Sequence, residues 1–269
     1  MSKNLFLKCL FFLSLLIMAH VSHANDNECK KLTATGNPEY PPYLFKEHHE
    51  SNKLIGANDE IMKLIAEKIN IDIEVVYTGP WSRAQKEVRE GRIDLIAGAF
   101  FTIPRAQYMD YIYPAFLSTK SVVWTNKMKP ISFSLKEDLI GLKGITVINN
   151  SFGEEFDVFA KDKLSIASVA SLKQAFKMMK LGRADYLLYE QSPAEAYTAS
   201  WKIEDQAETV GPAISSEGLY LTLSHRSKCN TGTLRGKLTK ALHELSQEGH
   251  MIRSLNKGHA LWQNKPKVN

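Results

Sequence analysis

Cysteine is scarce in this chain, three in 269 residues, and the three form no cluster of the kind that binds zinc or an iron–sulfur centre. A Gly-x-Ser-x-Gly elbow is missing too, and so is a pair of histidines at ligand spacing. His48 and His49 are adjacent in a loop, and His225, His243, His250 and His259 are not spaced as ligands. No metal and no cofactor is therefore expected. No basic stripe or aromatic–basic repeat accompanies the net charge of +5, which argues against nucleic acid as a partner. No proline-rich or low-complexity linker divides the chain. Beyond the first residues, no apolar stretch is long enough to span a bilayer, so stable membrane insertion is not expected.

The N-terminus has a secretory signature. Lys3 and Lys8 precede the apolar run Leu10–Met18, and Ser22-His23-Ala24 is a small-x-small cleavage site. Residues 1–24 read as a signal peptide, so a soluble, exported chain beginning near Asn25 is expected. Removing them takes away two lysines and no acids, and the charge falls to +3. Two thiols remain, Cys29 and Cys229. Exported chains usually pair such thiols, and this pairing would tie the start of the mature chain to a segment two hundred residues later. The rival is two unrelated free thiols.

What the chain does contain is alternation. "KLTAT" at 31–35, "IDIEVVY" at 71–77 and "IDLIAGAF" at 93–100 read as strands. Between them, 57–69 places Ile61, Leu64, Ile65 and Ile69 on one helical face, and "WSRAQKEVREG" is a short helix ended by Gly91. The order β-α-β-α-β implies a parallel sheet flanked by helices. The pattern recurs with "SVVWTN", "GITVINN", the helix "SLKQAFKMMKLG" and "DYLLYE". "EGRIDLIAGAF" is echoed by "LGRADYLLYEQ", so two units are built alike. "GLYLTLS" is a further strand, and a closing helix pair presents Leu234, Leu238, Ala241, Leu242 and Leu245 as its stripe. These features give an α/β chain of two lobes, with residues 25–117 and 219–269 in lobe 1 and 118–218 in lobe 2. Crossing segments near 116–120 and 216–220 are the hinge candidates.

Ligands of open α/β sheets bind beyond the carboxyl ends of the strands. Asn37, Tyr40 and Tyr43 follow the first strand, and Trp81 follows the second. Gly98, Phe100 and Thr102 end the third, with Arg105 behind them. Thr102 suits an N-cap and Pro104 a first turn, which would set Arg105 at a helix N-terminus, where an anion is favoured. In the second lobe Asn150, Ser151, Phe152 and Gly153 end one strand and Glu190 another. Together these groups suit a small zwitterion: Arg105, Thr102 and Ser151 for a carboxylate, Glu190 for a cation, Tyr40 and Trp81 as flat walls. Each has a plain rival. Arg105 could pair with Asp110 or Asp94 at the surface, Trp81 could staple a helix to the core, and Tyr40 could be a turn aromatic. Glu190 could be a solvated strand-end charge, and Ser151 only a cap.

These residues carry a resemblance. "YPPYLF", "GANDEIMKLIAEKI", Trp81 thirteen residues before Asp94, "GRIDLIAG", Thr102-x-x-Arg105, "YPAF", "GRADYLLYE" and the terminal helix pair stand in an order that resembles solute-binding protein family 3. Those are the type II periplasmic binding proteins that serve ABC importers as receptors for polar amino acids. The resemblance covers essentially the whole mature chain. It implies a two-lobed fold, each lobe a mostly parallel sheet flanked by helices, joined by two crossing hinge segments. It also implies a monomer that delivers an amino acid-like ligand to a membrane permease by cleft closure. By this similarity Arg105 holds the ligand's α-carboxylate with help from Thr102 and the backbone near Gly98 and Phe100. Tyr40 and Trp81 flank the side chain, and Ser151 with the N–H groups around Phe152 closes from lobe 2. The chain departs from the pattern at Glu190, where relatives usually carry an aspartate for the α-ammonium, and at Phe100 and Asn37. Two alternatives stay open: a dehydratase-like enzyme with Glu190 as general acid, and a ligand-sensing module that partners with a signalling receptor.

Overall fold

The elements follow the hydrophobic periods of the sequence. The computed structural model describes residues 29–265, so the expected signal peptide lies outside the described residues. Strand β1 (Lys31–Thr35) buries Leu32 and Ala34. Three short strands, β2 (Glu39–Tyr40), β3 (Leu44–Lys46) and β4 (Leu54–Ile55), make a small antiparallel sheet. Helix α1 (Ala57–Ile69) follows and turns Ile61, Met62, Ile65 and Ile69 inward, while Leu64 is half-buried. Each such fully buried side chain contributes about 1.5–3 kcal/mol. Strand β5 (Asp72–Val75), helix α2 (Trp81–Arg89), strand β6 (Leu95–Ala99) and the single-turn helix α3 (Ile103–Ala106) complete the first repeat.

The second repeat runs through β7 (Met109–Asn126), β8 (Lys143–Val147), α4 (Glu154–Lys163), β9 (Ser165–Val169), α5 (Leu172–Lys180), β10 (Tyr186–Glu190) and α6 (Gln191–Trp201). Strand β11 (Ala207–Ser224) then leads to α7 (Gly232–Gln247) and α8 (His250–Gln263). The main sheet has the order β5-β1-β6-β11-β7-β10-β8-β9. Each end is a parallel triad, β5-β1-β6 and β10-β8-β9. Between them β7 and β11 run antiparallel to each other and to their triads.

Two 18-residue strands thus cross the middle of the molecule, where the sequence suggests two short ones. The half-polar stretches that precede "SVVWTN" and "GLYLTLS" show no clean alternation, and that hid their pairing. Pro114, which has no N–H to donate, falls where the β7–β11 ladder is interrupted, between Leu219↔Leu117 and Leu221↔Ile112. The two hinge candidates lie side by side, with Lys120 opposite Ser216 and Leu117 opposite Leu219. One apolar cluster is drawn from residues 32–116 and 219–251, and includes the α7 stripe Leu234, Leu238, Ala241, Leu242 and Leu245. Two others are drawn from residues 122–207 and 123–188. Cys29 and Cys229 form a disulfide, with Cα atoms 5.5 Å apart, which fastens β1 to the loop before α7. Among the described residues no helix is long and apolar enough to cross a membrane.

Candidate functional site

The carboxyl ends of β1, β6 and β10 converge on one small cavity of about 20 Å³. Tyr40, Trp81, Gly98, Phe100, Arg105 and Glu190 line it, all of them residues that the sequence singled out. Asn37, Asn58, Asn150, Leu44 and Leu219 complete the wall with the backbone around Ala97 and Ala99.

Local chemistry explains each placement. Thr102 caps α3, its Oγ1 accepting from the Arg105 N–H at 3.3 Å, and Pro104 sits in the first turn. The cap therefore fixes the backbone from which Arg105 projects. Arg105 as a residue is 6% exposed. Its Nη1 donates to the Phe100 carbonyl at 3.1 Å and its Nη2 to the Asn149 carbonyl at 3.2 Å, and it lies 5.3 Å from the centre of the Trp81 ring. Neither surface rival holds it. Asp110 pairs with Arg235, and Asp94 accepts from Thr33 and Ser227. The helix-dipole expectation needs correction, because α3 has four residues and too few aligned peptides to matter. The positive charge at this site is the guanidinium itself.

Trp81 is both staple and wall. It opens α2, packs with Ala84, Val88 and Ile96, and donates its Nε1–H to the Asn149 carbonyl at 3.1 Å. Gln85 donates to the same oxygen at 3.2 Å. Three donors from the first repeat therefore meet one carbonyl of the second, on a residue with φ 59. Gly98 has φ 108, and a Cβ there would lie 2.6 Å from the Asn58 amide nitrogen, so the position excludes a side chain.

Glu190 ends β10 and is 1% exposed, not a solvated strand end. Burial pushes its carboxyl up to about 7, against the pull of the Asn150 amide, the Tyr40 hydroxyl and the Arg105 charge. Asn150 Nδ2 donates to it at 3.3 Å. Among the described residues it joins no ion pair with Arg105, so a guanidinium and a carboxyl whose pKa burial raises line one cavity without pairing.

Three predicted residues stand aside from this cavity. Thr102 acts behind Arg105 as its cap. Ser151 donates its hydroxyl to Asp157 at 2.5 Å, and the Phe152 N–H goes to the same carboxylate at 2.8 Å. Helix α4, which follows them, begins at Glu154. Phe152 itself packs against Phe156. The sequence reading missed Asn58, whose Nδ2 donates to the Ala97 carbonyl and whose buried Oδ1 has no partner. A signal existed: Asn58 falls on the inward stripe of α1 with Ile61 and Ile65, where an amide is out of place. Among the described residues no group of three His, Cys, Asp or Glu is placed to hold a metal.

Comparisons with known proteins agree with this architecture. A sequence model of the bacterial extracellular solute-binding proteins, family 3, matches residues 32–257. A probable amino-acid ABC transporter-binding protein of Haemophilus influenzae is 23% identical over 215 residues, covering 75% of this chain and 81% of that protein. The arginine-binding protein ArgT of Corynebacterium glutamicum is 26% identical over 190 residues, covering 67% of this chain and 60% of that one. Among solved structures, the substrate-binding protein AbpA of Streptococcus pneumoniae bound to L-arginine superposes with a TM-score of 0.68 at 18% identity, over 87% of this chain and 96% of that one. A histidine kinase sensor domain with similarity to periplasmic binding proteins gives 0.70 at 19%, over 89% and 98%.

Proposed function

This chain belongs to the bacterial extracellular solute-binding proteins of family 3, and from that premise we propose that it is a periplasmic receptor for a small amino acid-like zwitterion. The family binds solutes and does not transform them, so Glu190 is assigned to binding and not to acid catalysis. The observation that carries the reading is the pair of buried opposite charges, Arg105 and Glu190, on one cavity wall. In this reading residues 25–117 with 219–269 and residues 118–218 are the two lobes, and β7 and β11 are the hinge. The ligand's carboxylate takes Arg105, and it competes with the Asn149 carbonyl for the donors Trp81 Nε1 and Gln85 Nε2. Its ammonium takes Glu190, and Tyr40, Trp81 and Phe100 flank the rest. Thr102 holds the arginine in place, while Ser151 and Phe152 order the facing loop through Asp157.

Contacts between the lobes support a closure mechanism. Tyr189 donates to the Glu39 carbonyl at 3.2 Å, and the Ile103 N–H donates to Glu154 at 2.9 Å. A ligand that completes such contacts favours the closed form, which the permease of an ABC importer would recognise. The amino-acid transport proteins among its relatives support that partner. The fold shared with a histidine kinase sensor domain supports a second reading, in which the closed form is read by a signalling receptor. Native mass spectrometry of the freshly purified mature chain, followed by a thermal-shift screen over amino acids, tests the ligand class. The expected result is a retained species of amino-acid mass that raises the melting temperature when added back. No retained species and no shift with any α-amino acid would refute it.

A further inference from the structure

Behind the wall made by Asn37 and Trp81 lies a second cavity, of about 350 Å³. It shares those two residues with the central site and is lined from both repeats, by Glu39 and Tyr77 on one side and by Ser171 and Tyr197 on the other. Three basic side chains converge there: Lys46, His49 and Lys265. Lys46 Nζ sits 4.1 Å from the centre of the Tyr77 ring and donates to the His49 carbonyl. Lys265, just past the end of α8, donates to the Lys46 carbonyl at 2.6 Å and lies over the rings of Phe45 and Trp262.

Among the described residues neither lysine is in an ion pair. Both are held by rings and carbonyls, which fix an ammonium without neutralising it. Half-burial and the nearby Lys46 charge lower the pKa of Lys265, the signature of a cation short of a counter-charge. The one acid in the lining, Glu39, accepts from the Leu172 N–H at 3.3 Å, and burial raises its pKa. The chamber therefore carries an excess of positive charge, and residues of both repeats wall it.

We propose that this chamber receives a second, anionic group at the far end of the same ligand, which makes the solute an acidic α-amino acid. The inference rests on the receptor reading above, with the α-carboxylate at Arg105 and the ammonium at Glu190. In this arrangement the side chain extends past Asn37 and Trp81, the two residues common to both cavities, and presents its acid to Lys46 and Lys265. A cationic side chain would meet those same two ammonium groups, so arginine, which the relatives' names carry, is disfavoured here.

Titration calorimetry on the mature chain tests this with aspartate, glutamate, 2-aminoadipate, the amide twins asparagine and glutamine, and arginine. At least one acid should bind tenfold or more tightly than arginine and, for the two shorter acids, than its amide twin. The double variant Lys46→Gln/Lys265→Gln should erase that preference while amide affinity stays within threefold. Lys46→Arg, which keeps the charge, should keep the preference. Tightest binding of arginine or an amide, or a preference that survives the double variant, overturns the inference and leaves the receptor reading standing. Failure of all six compounds to bind the wild type also overturns this inference, while the receptor reading is decided by the wider α-amino acid screen above.

Discussion

The proposed role of Glu190 predicts a ligand affinity that depends on pH. Its carboxyl rises from 4.5 to about 7 because it is buried. That lift corresponds to about 3 kcal/mol against the ionised form in the ligand-free protein. The folded value lies above the unfolded one. Stability is therefore fully present below about pH 4.5 and is lost as pH climbs through 7. A ligand ammonium reverses the balance, since it needs the carboxylate. From pH 8 to pH 6 the ionised share of a group titrating near 7 falls roughly tenfold, and the dissociation constant should rise by about the same factor. Titration calorimetry at pH 6, 7 and 8, in two buffers of different ionisation enthalpy, reads both the affinity and the release of about half a proton at pH 7. Glu190→Gln should bind weakly and without pH dependence. A wild-type affinity that is flat from pH 6 to 8 would refute the assignment of Glu190 to a cation.

Three further outcomes follow from the packing. Gly98→Ala should weaken ligand binding severely in a folded protein, because its Cβ would meet the Asn58 amide at 2.6 Å in a left-handed backbone position; calorimetry and circular dichroism check both halves of that statement. Replacing Cys29 and Cys229 by serine frees a loop whose ends are 200 residues apart and should cost about 2–5 kcal/mol, read by urea unfolding against the oxidised wild type, with the reduced wild type expected to match the variant. Leu238→Ala, at a fully buried position of α7, should cost about 2–5 kcal/mol of stability, with ligand affinity unchanged in the protein that remains folded.

Much of this was legible because strands and helices with strong periods announce themselves. Helix α1 spans the expected 57–69, and β1 the expected 31–35. The strand-end rule singled out Arg105 and Glu190, 85 residues apart in sequence, because each stands at or just beyond the carboxyl end of an apolar strand, and both line the same cavity. Ser151, which the same rule singled out, lies outside that lining and donates its hydroxyl to Asp157, a partner six residues on that no local pattern singles out. The long strands β7 and β11 escaped because their middle segments are half-polar and pair with each other, a tertiary choice that no single segment encodes. Asn149 escaped for a different reason: its role is played by a backbone carbonyl, and any residue type carries one.

The most direct measurement is calorimetry of Arg105→Ala against the wild type, with whichever amino acid the native protein retains. Removing one partner of a buried charge-assisted contact costs about 2–5 kcal/mol, or roughly thirty- to several-thousand-fold in Kd. The expected result is a loss of that size in a variant whose circular dichroism and melting stay close to wild type, since Arg105 belongs to the cavity wall and to none of the apolar clusters. Unchanged affinity in that folded variant would contradict the central claim that a guanidinium and a carboxyl facing one cavity hold a zwitterion between them.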